Sequence, residues 1–286
     1  MFRQNALKRR LEKGRKTFGV FLDLGHPPVA EIMAASGYDC VLIDREHGVG
    51  DLASAVAEMT AAQAHGATAL MRVPENDPVA LKLALDSGVE GVMIPAINDA
   101  AEAKRAAQSC AYPPRGIRGF AAAIVRASSY GVQVEEYLKH ARDELLVMGQ
   151  IESRAGVDNA DAIAGTDGID MIFVGPYDLS NSLGYPGEPD HPQVLKAIAA
   201  VEKAAKKRGK WLGAIPTPAR SAADLYKAGY DLVLSHCDVV MLRDAARADV
   251  AQMRALLRRG GRGGAGVGGR SGGGFFGASG GKPKKK

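Results

Sequence analysis

The chain has 286 residues, 46% hydrophobic and 24% charged, an ordinary globular composition. No apolar run reaches the roughly 18 residues that a membrane span needs, and Met1 to Lys16 is rich in Lys and Arg without the apolar centre of a signal peptide. The pI of about 9.0 is a property of the chain's end. Of 37 Lys and Arg, 8 lie from Arg258 to Lys286 with no acid among them, so 29 face 32 Asp and Glu in a mildly acidic body.

Length suits one large α/β domain better than two. Cys40, Cys110 and Cys237 fit neither a CxxC metal pattern nor a disulfide framework, so a reducing cytoplasm is expected. A short amphipathic helix opens at Met1–Asn5. Strand-like runs follow at Phe18–Leu24, Asp39–Asp44, Thr68–Val73, Gly91–Pro95, Leu145–Glu152, Ile169–Val174, Trp211–Ile215 and Leu232–Ser235. Most are short and apolar without strict alternation, the pattern of strands covered on both faces. Helical stretches lie between them, among them Pro28–Ser36, Leu52–His65, Pro78–Ser87, Ala100–Cys110 and Pro192–Arg208, and several close on a glycine stop.

Eight strands alternating with helices predict a closed barrel or an open doubly wound sheet. No GxGxxG or GxxxxGK[ST] follows the first strand, which favours the barrel. The expected architecture is a (β/α)8 TIM barrel over 1–259, N-terminal helix included, with a disordered Gly/Arg/Lys-rich tail over 260–286. The longest connection, from Tyr112-Pro113-Pro114-Arg115-Gly116-Ile117-Arg118-Gly119 to a helix at Val134–His140, has the size of a functional loop. Arg115 and Arg118 there suit an anionic substrate, a neighbouring subunit or plain solvation.

In such barrels the chemistry sits at the C-terminal strand ends. Leu42-Ile43-Asp44-Arg45-Glu46-His47 runs an apolar strand into two carboxylates and a histidine. His47 is the candidate general base, histidine being the side-chain type suited to that role near neutral pH. Asp86 is a candidate to orient it, although by position Asp86 is a helix-end residue. Arg72 closes an apolar strand and needs a partner there: a substrate carboxylate, a developing enolate oxygen, or Asp44 or Glu46. Strand alternation puts Leu146, Met148, Gln150 and Glu152 on one face, with Glu152 at the mouth. Asp178 follows Gly175-Pro176-Tyr177 on the next strand end. Singly, Asp178 suits a helix N-cap and Glu152 an ion pair as well as either suits a cation. Together they favour a hard-oxygen metal site for Mg²⁺ or Mn²⁺ over zinc. His26 and His236, also at strand ends, are candidates for the pocket wall or for packing around it.

These segments, with Arg72-Val73-Pro74, Asn76-Asp77-Pro78 and Leu183-Gly184-Tyr185-Pro186-Gly187, resemble the metal-dependent (class II) 2-oxo-acid aldolases, the hydroxy-oxoheptanedioate and dehydro-deoxy-glucarate aldolases, over roughly Phe18 to Leu257. The resemblance implies a barrel that cleaves a 4-hydroxy-2-oxo acid to pyruvate and an aldehyde. It makes His47 the base, Asp86 the carboxylate that raises its basicity, Arg72 the enolate stabiliser, and Glu152 and Asp178 ligands of a divalent metal (Mg²⁺ or Mn²⁺, with Co²⁺ a further candidate). Gln150 and the stretch Gly175, Pro176, Tyr177 and Asp178 become substrate contacts. It also implies a homo-oligomer, usually a hexamer. Phe120–Tyr130, Ile215–Pro218 and Ser235–Asp238 depart from the family pattern and leave the aldehyde partner open.

No strand end carries the lysine of a Schiff-base aldolase; Lys82, Lys104 and Lys139 fall on helical stretches. The same site would also serve an oxaloacetate decarboxylase or an enolate–acyl synthase. RNA binding through the Arg-Gly tail is a reading of another class, disfavoured by the acidic body.

Overall fold

The structure, a computed structural model, describes residues 2–260. Eight parallel strands form a closed barrel: β1 (Thr17–Leu22), β2 (Cys40–Asp44), β3 (Thr68–Arg72), β4 (Gly91–Ile94), β5 (Leu146–Ile151), β6 (Met171–Val174), β7 (Trp211–Ala214) and β8 (Leu232–Cys237). Each pairs with the next, and β1 closes on β8. All eight fall on the predicted runs, with ends shifted by up to two residues.

Alternation along each strand sorts its residues into two apolar layers. Val41, Ile43, Ala69, Met71, Val92 and Val147 face outward against the surrounding helices. Leu42, Leu70, Met93, Met148, Phe173 and Leu234 fill the barrel interior. The base is plugged by α1 (Ala6–Glu12), whose Leu7 and Leu11 join that interior cluster. The helix starts after Met1–Asn5 rather than within it, because the Asn5 side chain accepts from the Lys8 N–H at 2.9 Å and caps the first turn. Apolar layers therefore occupy the bottom and middle, and polar residues are left to the C-terminal mouth.

The helices α2 (Pro27–Ala35), α3 (Leu52–Ala64), α4 (Pro78–Ser87) and α5 (Ala100–Ser109) confirm the sequence expectations to within a residue. Gly37, Gly66, Gly88, Gly209 and Gly229 all take positive φ at helix ends, as stops should. Met1–Met241 forms one compact unit. In the second unit, from Leu242, the described residues carry Leu242, Val250, Met253, Leu256 and Leu257 exposed on a helix. Of the predicted tail, residues 261–286 lie outside the described residues. No helix among those described is long and apolar enough to cross a membrane.

Candidate active site

The inward positions at the ends of β2 and β3 are Asp44 and Arg72, and the strand register sets them side by side. Arg72 Nε donates to Asp44 Oδ1 at 2.9 Å, and Nη2 donates to Asp44 Oδ2. Glu46 Oε2 lies 2.9 Å from Arg72 Nη1 as an ion pair, and the guanidinium stands 5.2 Å from the Phe21 ring centre. Burial opposes ionisation of Asp44, but the Arg72 hydrogen bonds and charge outweigh it and hold the carboxyl below its usual range. Both structural partners foreseen for Arg72 are therefore real. Only two of its five N–H donors go to Asp44, so others remain for an oxyanion.

The loop after β2 carries His47. Arg45, almost fully buried, turns away from the pocket and donates to Glu58 Oε2 of α3 at 2.5 Å. Asp44 Oδ1 accepts from the Glu46 N–H at 2.9 Å and the His47 N–H at 3.4 Å. The imidazole, 63% exposed, is left at the rim with Nε2 3.9 Å from Glu46.

Opposite, β5 delivers Gln150 and Glu152 to the mouth, 2% and 8% exposed. Glu152 Oε1 accepts from the Ala96 N–H at 2.8 Å, and Oε2 accepts from Gln150 Nε2. Ala96 aims its amide there from φ 53°, a left-handed conformation that an alanine holds only where its surroundings impose it. Burial, then the charges of Asp178 and Glu46, push the Glu152 carboxyl up to about 7. Gly175 leaves the space between them open: a Cβ there would sit 2.5 Å from Glu152 Oε2 and 2.8 Å from Gln150 Nε2. Asp178 stands exposed in the first turn of the helix Pro176–Ser182.

His47, Arg72, Gln150, Gly175, Tyr177 and Asp178 line one pocket of about 550 Å³, with Pro176 in the same wall. Asp86 is held elsewhere. On the last turn of α4 its carboxylate accepts from Arg118 Nη2 at 2.7 Å, and the structure does not pair it with His47 within the chain. His236 lines the pocket, whereas His26 stands exposed at the start of α2.

Sequence reasoning named His236 for the wall formed by β1 and β8 but passed over Phe21 and Asp23. Phe21 and Asp23 continue the inward alternation of β1, a signal that was available. The register between β1 and β8 shifts by a residue at Gly19/Val20 and brings Cys237 level with Phe21, which no pattern in the sequence announces. Cys237 Sγ donates to Asp23 Oδ2 at 2.6 Å. Buried Asp238 accepts the N–H groups of Asp23 at 3.0 Å, Leu24 at 3.2 Å and Val239 at 2.7 Å, which ties the end of β1 to the end of β8.

A parallel barrel that gathers a histidine, a buried arginine and several carboxylates around a pocket at its C-terminal mouth defines a barrel enzyme. Residues 17–245 match the family described as HpcH/HpaI aldolase/citrate lyase. The chain is 37% identical over 252 residues to a hydroxypyruvate/pyruvate aldolase of Chromohalobacter salexigens, covering 88% of this chain and 98% of that protein. It is 34% identical over 252 residues to a 4-hydroxy-2-oxo-heptane-1,7-dioate aldolase of Escherichia coli, covering 88% and 96%. The crystal structure of an HpcH/HpaI aldolase/citrate lyase family protein from Burkholderia cenocepacia J2315 matches with a TM-score of 0.82 at 36% identity, over 87% of this chain and 99% of that one. The chain belongs to the HpcH/HpaI aldolase/citrate lyase family and is an aldehyde-lyase; enzymes of this family generally depend on a divalent metal.

Proposed function

We propose that the enzyme reversibly cleaves 4-hydroxy-2-oxo acids to pyruvate and an aldehyde, with Glu152 and Asp178 holding Mg²⁺ or Mn²⁺. The observation that carries this is the pairing, across one pocket, of a carboxylate site with a guanidinium that keeps free donors. The residues fit a hard divalent cation. Glu152 is a buried carboxyl whose ionisation is resisted by burial and by Asp178 and Glu46, a repulsion that a cation would relieve. Gln150 Oε1 is buried without a partner beside it. The bound metal supplies Lewis acidity that polarises the 2-oxo group.

The chain's own groups do the rest. His47, through a water, takes the C4 hydroxyl proton as the C3–C4 bond breaks. The aldehyde departs with its new carbonyl, and the bonding pair passes to the pyruvate fragment as an enolate. The remaining N–H donors of Arg72 face that developing charge, and Asp44 and Glu46 keep the guanidinium from swinging away. Return of that proton from His47, through the same water, to C3 completes pyruvate and restores the base. Among the described residues no lysine lines the pocket, which favours a mechanism without a Schiff base. Asp86 remains assigned to support His47, a role that one chain alone does not account for. We also propose assembly as a hexamer, a reading supported by the exposed Ile117, Phe120, Ile124 and Val132 of the long connection.

Pyruvate release from 4-hydroxy-2-oxo acids tests the function directly. Release should vanish with EDTA and return with Mg²⁺ or Mn²⁺. Release that survives chelation, or a covalent adduct trapped by borohydride with pyruvate, would sink the reading.

A further inference from the structure

The proposed chemistry uses one side of the pocket and leaves the other without a role. That far side is built by Asp23 and Phe21 of β1, Cys237 and His236 of β8, and Thr217. Its composition is distinctive in charge. Among the described residues lining the pocket Arg72 is the sole Arg or Lys; Asp44 and Glu46 hold its guanidinium, and its remaining N–H donors serve the pyruvate half. An aldehyde that ends in a carboxylate would meet Asp23 there, with no guanidinium or ammonium on that side among the described residues to receive it.

Asp23 is a placed group rather than an incidental one. Its backbone N–H is fixed by Asp238 at 3.0 Å, its Oδ2 accepts the Cys237 thiol at 2.6 Å, and its carboxyl lies against that of Asp44, the anchor of Arg72. Burial pushes the Cys237 thiol up to about 12, which keeps it a protonated donor. Burial, followed by contact with Asp44, raises the Asp23 carboxyl to about 6, and in either protonation state a carboxyl oxygen accepts hydrogen bonds. Asp23, Cys237 and Asp238 bring their ligand atoms within 4.8 Å of one another, but a cation gains little from them. Asp238 commits both oxygens to backbone N–H groups and the thiol is a donor.

We propose that Asp23 selects the acceptor: it accepts a hydrogen bond from a hydroxyl on the aldehyde, so the enzyme favours short, uncharged, hydroxylated aldehydes over aldehydes bearing a carboxylate. The proposal rests on the pyruvate–aldehyde reading above and names the substrate class that reading leaves open. It separates this chain from the relative whose name specifies a seven-carbon dicarboxylate.

The test measures kcat/KM for aldol addition of pyruvate to glycolaldehyde, to propanal (the same size without the hydroxyl) and to succinic semialdehyde. Deuterium exchange into the pyruvate methyl, followed by NMR without any aldehyde, reports the pyruvate half alone. Glycolaldehyde should exceed propanal by about tenfold to a hundredfold, the range of a hydrogen bond to a charged acceptor, and should exceed succinic semialdehyde by at least as much. Asp23→Ala should erase the hydroxyl preference while exchange continues. Asp23→Asn, which keeps the shape if the alanine variant is insoluble, should raise succinic semialdehyde relative to glycolaldehyde by about tenfold. A wild type that takes succinic semialdehyde as well as glycolaldehyde would overturn the proposal, and so would ratios unchanged in both variants. Exchange with normal addition but no selectivity would sink the role of Asp23 alone. Absence of both exchange and addition would sink the aldol reading, and the proposal with it.

Discussion

In the proposed mechanism Arg72 carries a structural and a chemical duty with the same guanidinium. Burying it unpaired would be prohibitive, so Asp44 and Glu46 neutralise it, and the planar fork still presents N–H groups to the pocket. Arg72→Lys keeps the charge and loses the fork. The expected loss in kcat is on the order of 10²–10³, as for removal of an oxyanion donor, with KM for pyruvate less affected. Steady-state kinetics check this, and an unchanged kcat would remove Arg72 from the chemistry. Glu152 sets a pH dependence whose sign follows from its raised value. The folded carboxyl at about 7, against an ordinary 4.5, keeps its proton across that window, where the unfolded chain has lost it. Metal-free stability therefore falls as pH rises from 4.5 to about 7. A metal must displace that proton, so affinity for Mg²⁺ or Mn²⁺ should climb as pH rises through about 7 and level off above. Calorimetric titration at several pH values would expose a flat profile, which would exclude Glu152 as a ligand.

At the scale of elements, the loop from Arg45 to Gly50 is positioned by contacts behind the site. Arg45 reaches Glu58 of α3, and a Cβ at Gly48 or Gly50 would collide with the Asp44 carbonyl or the Arg45 side chain. Glu58→Ala leaves a buried guanidinium without its partner. The expected cost is about 3–5 kcal/mol, read as a lowered melting temperature, together with reduced activity because His47 rides on that loop. A variant as stable as the parent would show that water replaces the carboxylate. The plug at the base is apolar packing: Leu11→Ala in α1 should cost about 2–5 kcal/mol while leaving KM unchanged, since Leu11 belongs to the bottom of the barrel and the pocket to its mouth. A shift in KM would show that the base and the mouth are coupled.

Over the whole molecule, the long connection matters most. It exposes Ile117, Phe120, Ile124, Tyr130 and Val132, five large hydrophobic side chains in sixteen residues, and holds Asp86 through Arg118. If this surface is the proposed subunit contact, Phe120→Asp with Ile124→Asp should lower the mass seen by light scattering from a hexamer to smaller species. Mass unchanged from the parent would move the interface elsewhere. Asp86→Asn adds a readout at the same scale. A role in supporting His47 should displace the pH–rate profile, whereas a purely local pair with Arg118 should lower only the melting temperature.

The sequence alone determined the barrel, because apolar strands, glycine stops and helical spacing are local properties that repeat eight times. It also determined the inward face of β5, since strict alternation from Leu146 through Met148 carries Gln150 and Glu152 to the mouth without any tertiary information. The family motifs supplied the proposed roles of the remaining candidates, His47, Arg72 and Asp178. What the sequence did not disclose depends on contacts between distant segments. That Arg72 is shared by Asp44 and Glu46, and that Asp86 turns to Arg118, follow from strand register and helix packing. The wall of Asp23 and Cys237 is the clearest case. The two residues lie more than 200 positions apart, and they meet only because closing the barrel joins β1 to β8 with a one-residue shift in register. Side-chain alternation is written along a strand, but which strands become neighbours, and in what register, is settled only when the sheet closes.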